Sequence, residues 1–343
     1  MNSNGITVII CCYNSSMRLP ETLKHLLFQQ GIENIPWEVV LVNNNSTDNT
    51  EEVAHSILSE SKINFKIVRE PVPGLFYARI KGISVSAFNL LAYVDDDNWL
   101  DRNYLKNAYD IMSKNPNVGI CGGVGVGVFE SFKPEWFNRF ENAYAVGKLG
   151  RVKEGILPDK ESFLYGAGLV IRKKAYSDIQ RQGFKPLLTG RIGNVLTAGD
   201  DSELCIAVNL AGWKSYYSSA LTFKHYIPNS RLTWKYFLKM NVGFGNSYPI
   251  LFLYKKVSRG NNLFGFVFTE IFLQCNFNYI RSLLMIFLSK DKIGAKVNFI
   301  KFKACLIMFY QNISTMYLSY CTIKKFYNSS KINDQDLSSS SVD

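Results

Sequence analysis

Residues 90–101 read LLAYVDDDNWLD. Five apolar or aromatic residues, Leu90 to Val94, run without a polar interruption and have the character of a strand buried on both faces. Three carboxylates, Asp95, Asp96 and Asp97, follow directly. Adjacent carboxylates repel one another, and each disfavours ionisation of the next unless a cation lies among them. Alternate side chains of a strand share a face, so Asp95 and Asp97 are expected on one side of the chain. Two hard oxygen ligands there suit Mg²⁺ or Mn²⁺, above all where substrate phosphates complete the shell. The competing reading makes the acids a cap for the next helix, a role that suits Asp101.

Outward from this stretch the first 125 residues alternate two periodicities. ITVIICC (6–12), WEVVLVN (37–43), FKIVRE (65–70), NLLAYV (89–94) and VGICGGV (118–124) read as strands. RLPETLKHLLFQQ (18–30), DNTEEVAHSILSE (48–60), LFYARIKGISVSA (75–87) and DRNYLKNAYDIMSK (101–114) read as helices. Asp48 or Asn49 would cap the second helix. Strand–helix alternation implies crossover connections, hence an α/β fold with a mainly parallel sheet and helices on both faces. Ligands of such sheets bind beyond the carboxyl ends of the strands, where the three aspartates fall. The pattern loosens from about 126 to 190, with one strand expected at GAGLVIRK (166–173). A helix is expected over AGDDSELCIAVNLAG, closed by Gly212, and short strands at WKSYYS (213–218) and LTFKH (221–225).

Charge divides the chain differently. Residues 1–223 hold 23 Lys and Arg against 23 Asp and Glu, whereas residues 224–343 hold 16 against 5, so the whole net charge of +11 lies in the last third. That region is also rich in aromatics, as in LFGFVFTEIFLQCNFNYIRSLLMIFLSK (263–290) and ACLIMFYQNISTMYLSYCT (304–322). The second run is near the length of a membrane span but carries Gln311, Asn312 and several hydroxyls. Helices lying on a membrane surface are therefore favoured over a true span, with an ordinary helical subdomain as the alternative. Domains are expected at 1–232, 233–330 (a basic, aromatic helical extension) and 331–343, where NDQDLSSSSVD points to a disordered tail. The seven cysteines show no metal or CxxC spacing, and the N-terminus lacks a basic leader, so a reduced, cytoplasmic setting is expected.

Polar residues gather at the ends of the other strands. CCYN (11–14) closes the first and VNNNSTDNT (42–50) the second, while PGLFYARIKG (73–82) carries Arg79 in the helix before the acidic strand. In this order the motifs resemble the family 2 glycosyltransferases, with their GT-A nucleotide-sugar-binding fold, over roughly residues 5 to 235. The resemblance implies that Cys12, Tyr13 and Asn14 lie against the nucleoside, that Asn43 and Asn44 contact the base, and that Arg79 and Asp96 also serve the nucleotide. It implies that Asp95 and Asp97 bind the metal and diphosphate, and that Gly166 and Gly168 let a strand approach the donor sugar closely. Where the family commonly has Asp, this chain has Asn43, which leaves base preference open.

TAGDDSELC (197–205) is similar to the family's Glu-Asp motif, with Asp200 in place of Glu and Asp201 at the catalytic base. A carboxylate at a helix N-terminus stays ionised at lower cost, and an inverting transfer needs such a base beside the acceptor hydroxyl. Glu203 would complete a capping arrangement. His225, in TFKHYIPNSR (222–231), resembles the additional metal or phosphate ligand of some GT-A enzymes, while His25 and His55 read as structural. The resemblance thus implies an inverting, metal-dependent hexosyl transfer from a nucleotide-diphosphate sugar to a lipid-linked or polysaccharide acceptor. That work belongs to envelope polysaccharide synthesis at the inner face of the cytoplasmic membrane. Nucleic acid is not an expected partner. A nucleotidyltransferase would need a Gly-rich phosphate loop after the first strand, which CCYNSSMRLP does not supply. A non-catalytic nucleotide-sugar binder would be expected to have lost Asp201.

Overall fold

The computed structural model describes residues 4–149, 153–158, 163–191, 197–260 and 263–339. Two compact units emerge. The first comprises the chain to Asp178 together with Trp213–Leu232, and the second comprises Ile179–Gly212 and Thr233 onward.

The first unit is built on β1 (Ile6–Cys12), α1 (Leu19–Leu27), β2 (Trp37–Asn43), α2 (Thr50–Ser59), β3 (Asn64–Arg69), α3 (Leu75–Val85) and β4 (Leu90–Asp95). Leu90–Val94 and nearly all of β1 and β2 are buried, as continuous apolar runs require. β3, β2, β1 and β4 lie side by side and parallel, pairing Cys12 with Asn43, Asn43 with Arg69, and Cys11 with Asp95. Their carboxyl ends therefore form one edge.

Beyond β4 the sheet is mixed. β5 (Asn98–Leu100), α4 (Tyr104–Lys114), β6 (Val118–Phe129), α5 (Phe137–Phe140), β7 (Gly155–Ile156), β8 (Val170–Arg172) and α6 (Lys173–Arg181) follow in sequence. After α7 (Asp200–Leu210) of the second unit comes β9 (Lys214–Ile227). The order is β3-β2-β1-β4-β8-β6-β9-β5, with β7 also on β9. β8 is antiparallel to β4 and β6, and β5 is antiparallel to β9. The two short strands expected at 213–225 are thus one 14-residue strand. Its register on β6 shifts between Gly122 and Val124, so a bulge absorbs the polar Ser218–Ser219 interruption.

The second unit contains α7 and four long helices, α8 (Trp234–Val257), α9 (Phe264–Leu288), α10 (Lys292–Gln311) and α11 (Ile313–Ser339). These units and helices are bounded differently from the expected domains. Residues 179–212, expected within the 1–232 domain, group with the C-terminal helices, and Glu203 of α7 finds its partners there in Leu187, Leu188 and Tyr254. α11 is bounded by Ile313 and Ser339, past the expected boundary at 330. Residues 340–343 lie outside the described residues. Between α9 and α10 the Sγ atoms of Cys275 and Cys305 lie 3.3 Å apart and buried, both thiols free.

Candidate active site

The acidic stretch lies on two structures rather than one. β4 ends at Asp95, and Asp96–Asp97 form the turn into β5. The alternation expected to align Asp95 with Asp97 therefore stops at Asp95. Pairing of Asn98 with His225 draws β9 alongside the turn, and the Tyr226 amide donates to the Asp97 carbonyl at 2.9 Å.

Two guanidinium groups neutralise the turn. Arg18 at the start of α1 meets Asp96 Oδ2 at 2.6 Å, and Arg231 meets Asp97 Oδ2 at 2.7 Å. Ser15 also donates to the Asp96 carboxylate, and Thr22 Oγ1 donates to its carbonyl at 2.8 Å. Burial and the Asp97 charge push the Asp96 carboxyl above its ordinary value, against the pull of Arg18. Asp96 is thus the knot between the β1–α1 loop and the acidic turn. Neither arginine follows from motif spacing, since 78 and 134 residues separate them from their acids.

Asp97 Oδ1 faces His225 Nε2 at 3.6 Å and receives the Asn98 amide at 3.1 Å. The other imidazole nitrogen, Nδ1, lies 2.7 Å from the Tyr144 carbonyl. A carbonyl only accepts, so Nδ1 carries the hydrogen, and in a neutral ring Nε2 would turn its lone pair toward the carboxylate. Two lone pairs facing one another call for a cation between them, either a second ring proton or a metal ion. The donor set fits a divalent ion in this respect. Among the described residues no three His, Cys, Asp or Glu groups converge as a metal site. An ion held here would take its remaining ligands from phosphate and water.

The other nominated residues divide into those at the edge and those spent on the scaffold. Tyr13 is exposed at the end of β1, and Arg79 stacks its guanidinium 5.0 Å over the buried Tyr93 ring. Burial pushes the adjacent Cys11 thiol up to about 12, lowered by Arg79 and raised by Asp95, so both charges stand near this edge. Cys12 is buried, its carbonyl accepting the Asn44 amide at 2.8 Å. Asn14, at φ 50°, holds the 46–47 loop through Oδ1 and its own amide. Asn43 Oδ1 accepts from Ser46 at 2.9 Å.

Two expected donor contacts turn out to have internal partners. Asn44 donates both amide hydrogens to the carbonyls of Glu70 and Val72, at 2.9 and 2.7 Å, and accepts from Gly74 at 2.8 Å. Its side chain clamps β2 to the loop before α3. Gly168 has φ +67°, and a Cβ there would lie 2.8 Å from Tyr104 Oη and 3.0 Å from the Phe223 ring. Tyr104 Oη also donates to the Gly168 carbonyl. The glycine is required by core packing. Gly166 stands two residues earlier, partly buried, its carbonyl accepting from Leu169 at 3.4 Å.

In the second unit Asp200 and Asp201 open α7 behind Gly199 (φ +92°). Asp201 Oδ1 accepts from the Ser202 amide at 2.7 Å. Glu203 does not reach back to cap this helix. Its buried carboxyl accepts from the amides of Leu187 and Leu188, at 2.9 and 2.8 Å, and from Tyr254 Oη of α8 at 2.9 Å. Burial pushes it up to about 7, and the Asp200 charge adds to the rise.

The parallel half of the sheet ends at an edge beside which the Asp97–His225 pair stands, the position where ligands of open α/β sheets bind. Residues 7–180, just over half of the chain, match the family profile described as Glycosyl transferase family 2. The chain belongs to that family. It is 29% identical over 119 residues to glycosyltransferase GlyG of Streptococcus pneumoniae serotype 4, covering 34% of this chain and 38% of that one. It is 26% identical over 119 residues to the poly-beta-1,6-N-acetyl-D-glucosamine synthase of Staphylococcus epidermidis, covering 35% and 28%. The matched stretch thus spans little more than a third of these relatives at most. In fold it resembles residues 1–349 of S. aureus TarS, with a TM-score of 0.51 at 15% identity, covering 97% of this chain and 92% of that one. The same protein solved with UDP-GlcNAc gives 0.50 at 13% identity.

Proposed function

We propose that this protein is an inverting glycosyltransferase that moves a sugar from a nucleotide-diphosphate donor to an acceptor hydroxyl. The observation that carries the reading is the Asp97–His225 pair, a carboxylate oxygen and an imidazole nitrogen 3.6 Å apart beside the edge where β1, β2 and β4 end. Asp97 and His225 would hold a divalent cation, which when bound supplies positive charge for the departing diphosphate. An imidazole nitrogen in the set favours Mn²⁺ over the harder Mg²⁺.

The chain's own groups do the rest. Tyr13, Asn43 and Arg79 line the edge for the nucleoside and phosphates, and Gly166 borders the sugar. Asp201 takes the proton of the acceptor hydroxyl while the acceptor oxygen bonds to the anomeric carbon. The carbon–oxygen bond to the diphosphate breaks, and its electron pair leaves with the nucleotide. UDP-GlcNAc is the first donor to test, because a TarS structure holds it. A lipid-linked or saccharide acceptor, met at the cytoplasmic face of the membrane in envelope polysaccharide synthesis, suits the basic C-terminal helices. The deciding experiment is UDP binding by calorimetry with Mn²⁺ and with EDTA, on the parent and on Asp97→Asn. Binding that depends on Mn²⁺ in the parent and is lost in the variant supports the reading. Equal metal-free binding by both removes it.

A further inference from the structure

Among the described residues α9 is the helix long and apolar enough to cross a membrane. One face is sunk into its own unit through Val267, Ile271, Cys275 and Ser282. The opposite face carries Phe266, Leu273, Phe277, Ile280, Leu284 and Phe287, each 52–73% exposed. Their spacing of seven, four, three, four and three residues draws one stripe along the helix, roughly 32 Å long. Phe264 and Phe272 extend it sideways, through ring contacts with the exposed Tyr317 and Tyr310. An apolar face of this extent left to water marks an interaction surface.

Charge identifies the occupant. From Thr233 onward the chain has 14 Lys and Arg against 5 Asp and Glu. Exposed Arg281, Lys290, Lys292 and Lys296 lie within or just beyond the stripe. A second copy would bring the same positive charge face to face, whereas an anionic lipid surface complements it. A span is disfavoured because Gln274, Asn276 and Asn278 would sit at the bilayer centre. The packed neighbour α10 would also carry Lys296, Lys301 and Lys303 in with it. We infer that α9 lies in the plane of an anionic phospholipid membrane, its stripe buried among the acyl chains and its flanking lysines at the headgroups. The inference deepens the proposed function and rests on it only for the membrane-borne acceptor.

The test is flotation of the full chain with vesicles of phosphatidylcholine, alone or with about a quarter phosphatidylglycerol. Recovery with the anionic vesicles should exceed that with the neutral ones by roughly tenfold and fall in about 0.5 M salt. The double variant Phe277→Asp, Leu284→Asp should lose flotation while keeping the parent's UDP binding, which shows that it is folded. Flotation unchanged in that variant, or absent from the parent, overturns the assignment. So does a parent dimer, seen by light scattering, that the same substitutions dissociate. Flotation without any UDP binding would leave the membrane face standing and sink the transferase reading instead.

Discussion

The Tyr254 hydroxyl of α8 donates to the Glu203 carboxylate of α7 at 2.9 Å, inside a unit where Glu203 has no solvent contact. The carboxyl's value of about 7 lies above the ordinary one because burial costs the charged form more than three hydrogen bonds return. Between pH 4.5 and 7 the folded state therefore holds a proton that the unfolded chain has released, so stability falls as pH rises through that window. Glu203→Gln removes the titration. Urea denaturation should show the variant gaining on the parent by up to about 3 kcal/mol from pH 5 to pH 8. A pH-independent difference would mean that the carboxyl stays ionised throughout.

Arg231 and the candidate metal compete for one carboxylate. Arg231→Ala takes the guanidinium from the buried Asp97 and should cost roughly 3 kcal/mol without metal. Mn²⁺ should then raise the melting temperature of the variant more than that of the parent, because a second cation can replace the first. Identical Mn²⁺ shifts in the two proteins would place the ion elsewhere.

Gly168→Ala tests the packing role directly. The substitution forces φ +67° on an alanine and sets its methyl against Tyr104 Oη. A loss of about 2 kcal/mol in stability is expected, with UDP affinity unchanged below the melting transition. Weakened UDP binding in a stably folded variant would return the glycine to the donor site.

Asp201→Asn keeps shape and loses the basic lone pair. Donor affinity should be nearly retained while turnover falls by roughly 10²-fold or more. Asp200→Asn should be milder. A dead Asp200 variant beside an active Asp201 variant would move the base by one residue.

The parallel half of the sheet was legible because β1, β2 and β4 are buried on both faces, so an uninterrupted apolar run and its polar stop can be read directly. β5 was not, being three residues long and held only by its partner. β9 looked like two strands because Ser218 and Ser219 break its apolar pattern at the bulge. Asp97 and His225 were both nominated from motifs, but their partnership depends on β5–β9 pairing across more than a hundred residues. The repulsion among the three acids correctly called for cations, yet local spacing gave no sign of Arg18 and Arg231. Asn44 and Glu203 carried the residue types of a contact and a cap. Only the fold reveals that both are spent on internal backbone amides and carbonyls.

The two thiols facing each other between α9 and α10 give this hairpin a chemical memory. Only a thiolate attacks another sulfur, and the neighbouring Cys275 together with burial holds the Cys305 thiol protonated far above its ordinary value. While the helices stay closed, burial also keeps an oxidant in solution away from both sulfurs. A molecule whose hairpin opens exposes both sulfurs, and one that recloses oxidised is stapled across 30 residues of sequence. The fraction of stapled chains after a timed exposure would count how often α9 lets go of its neighbour.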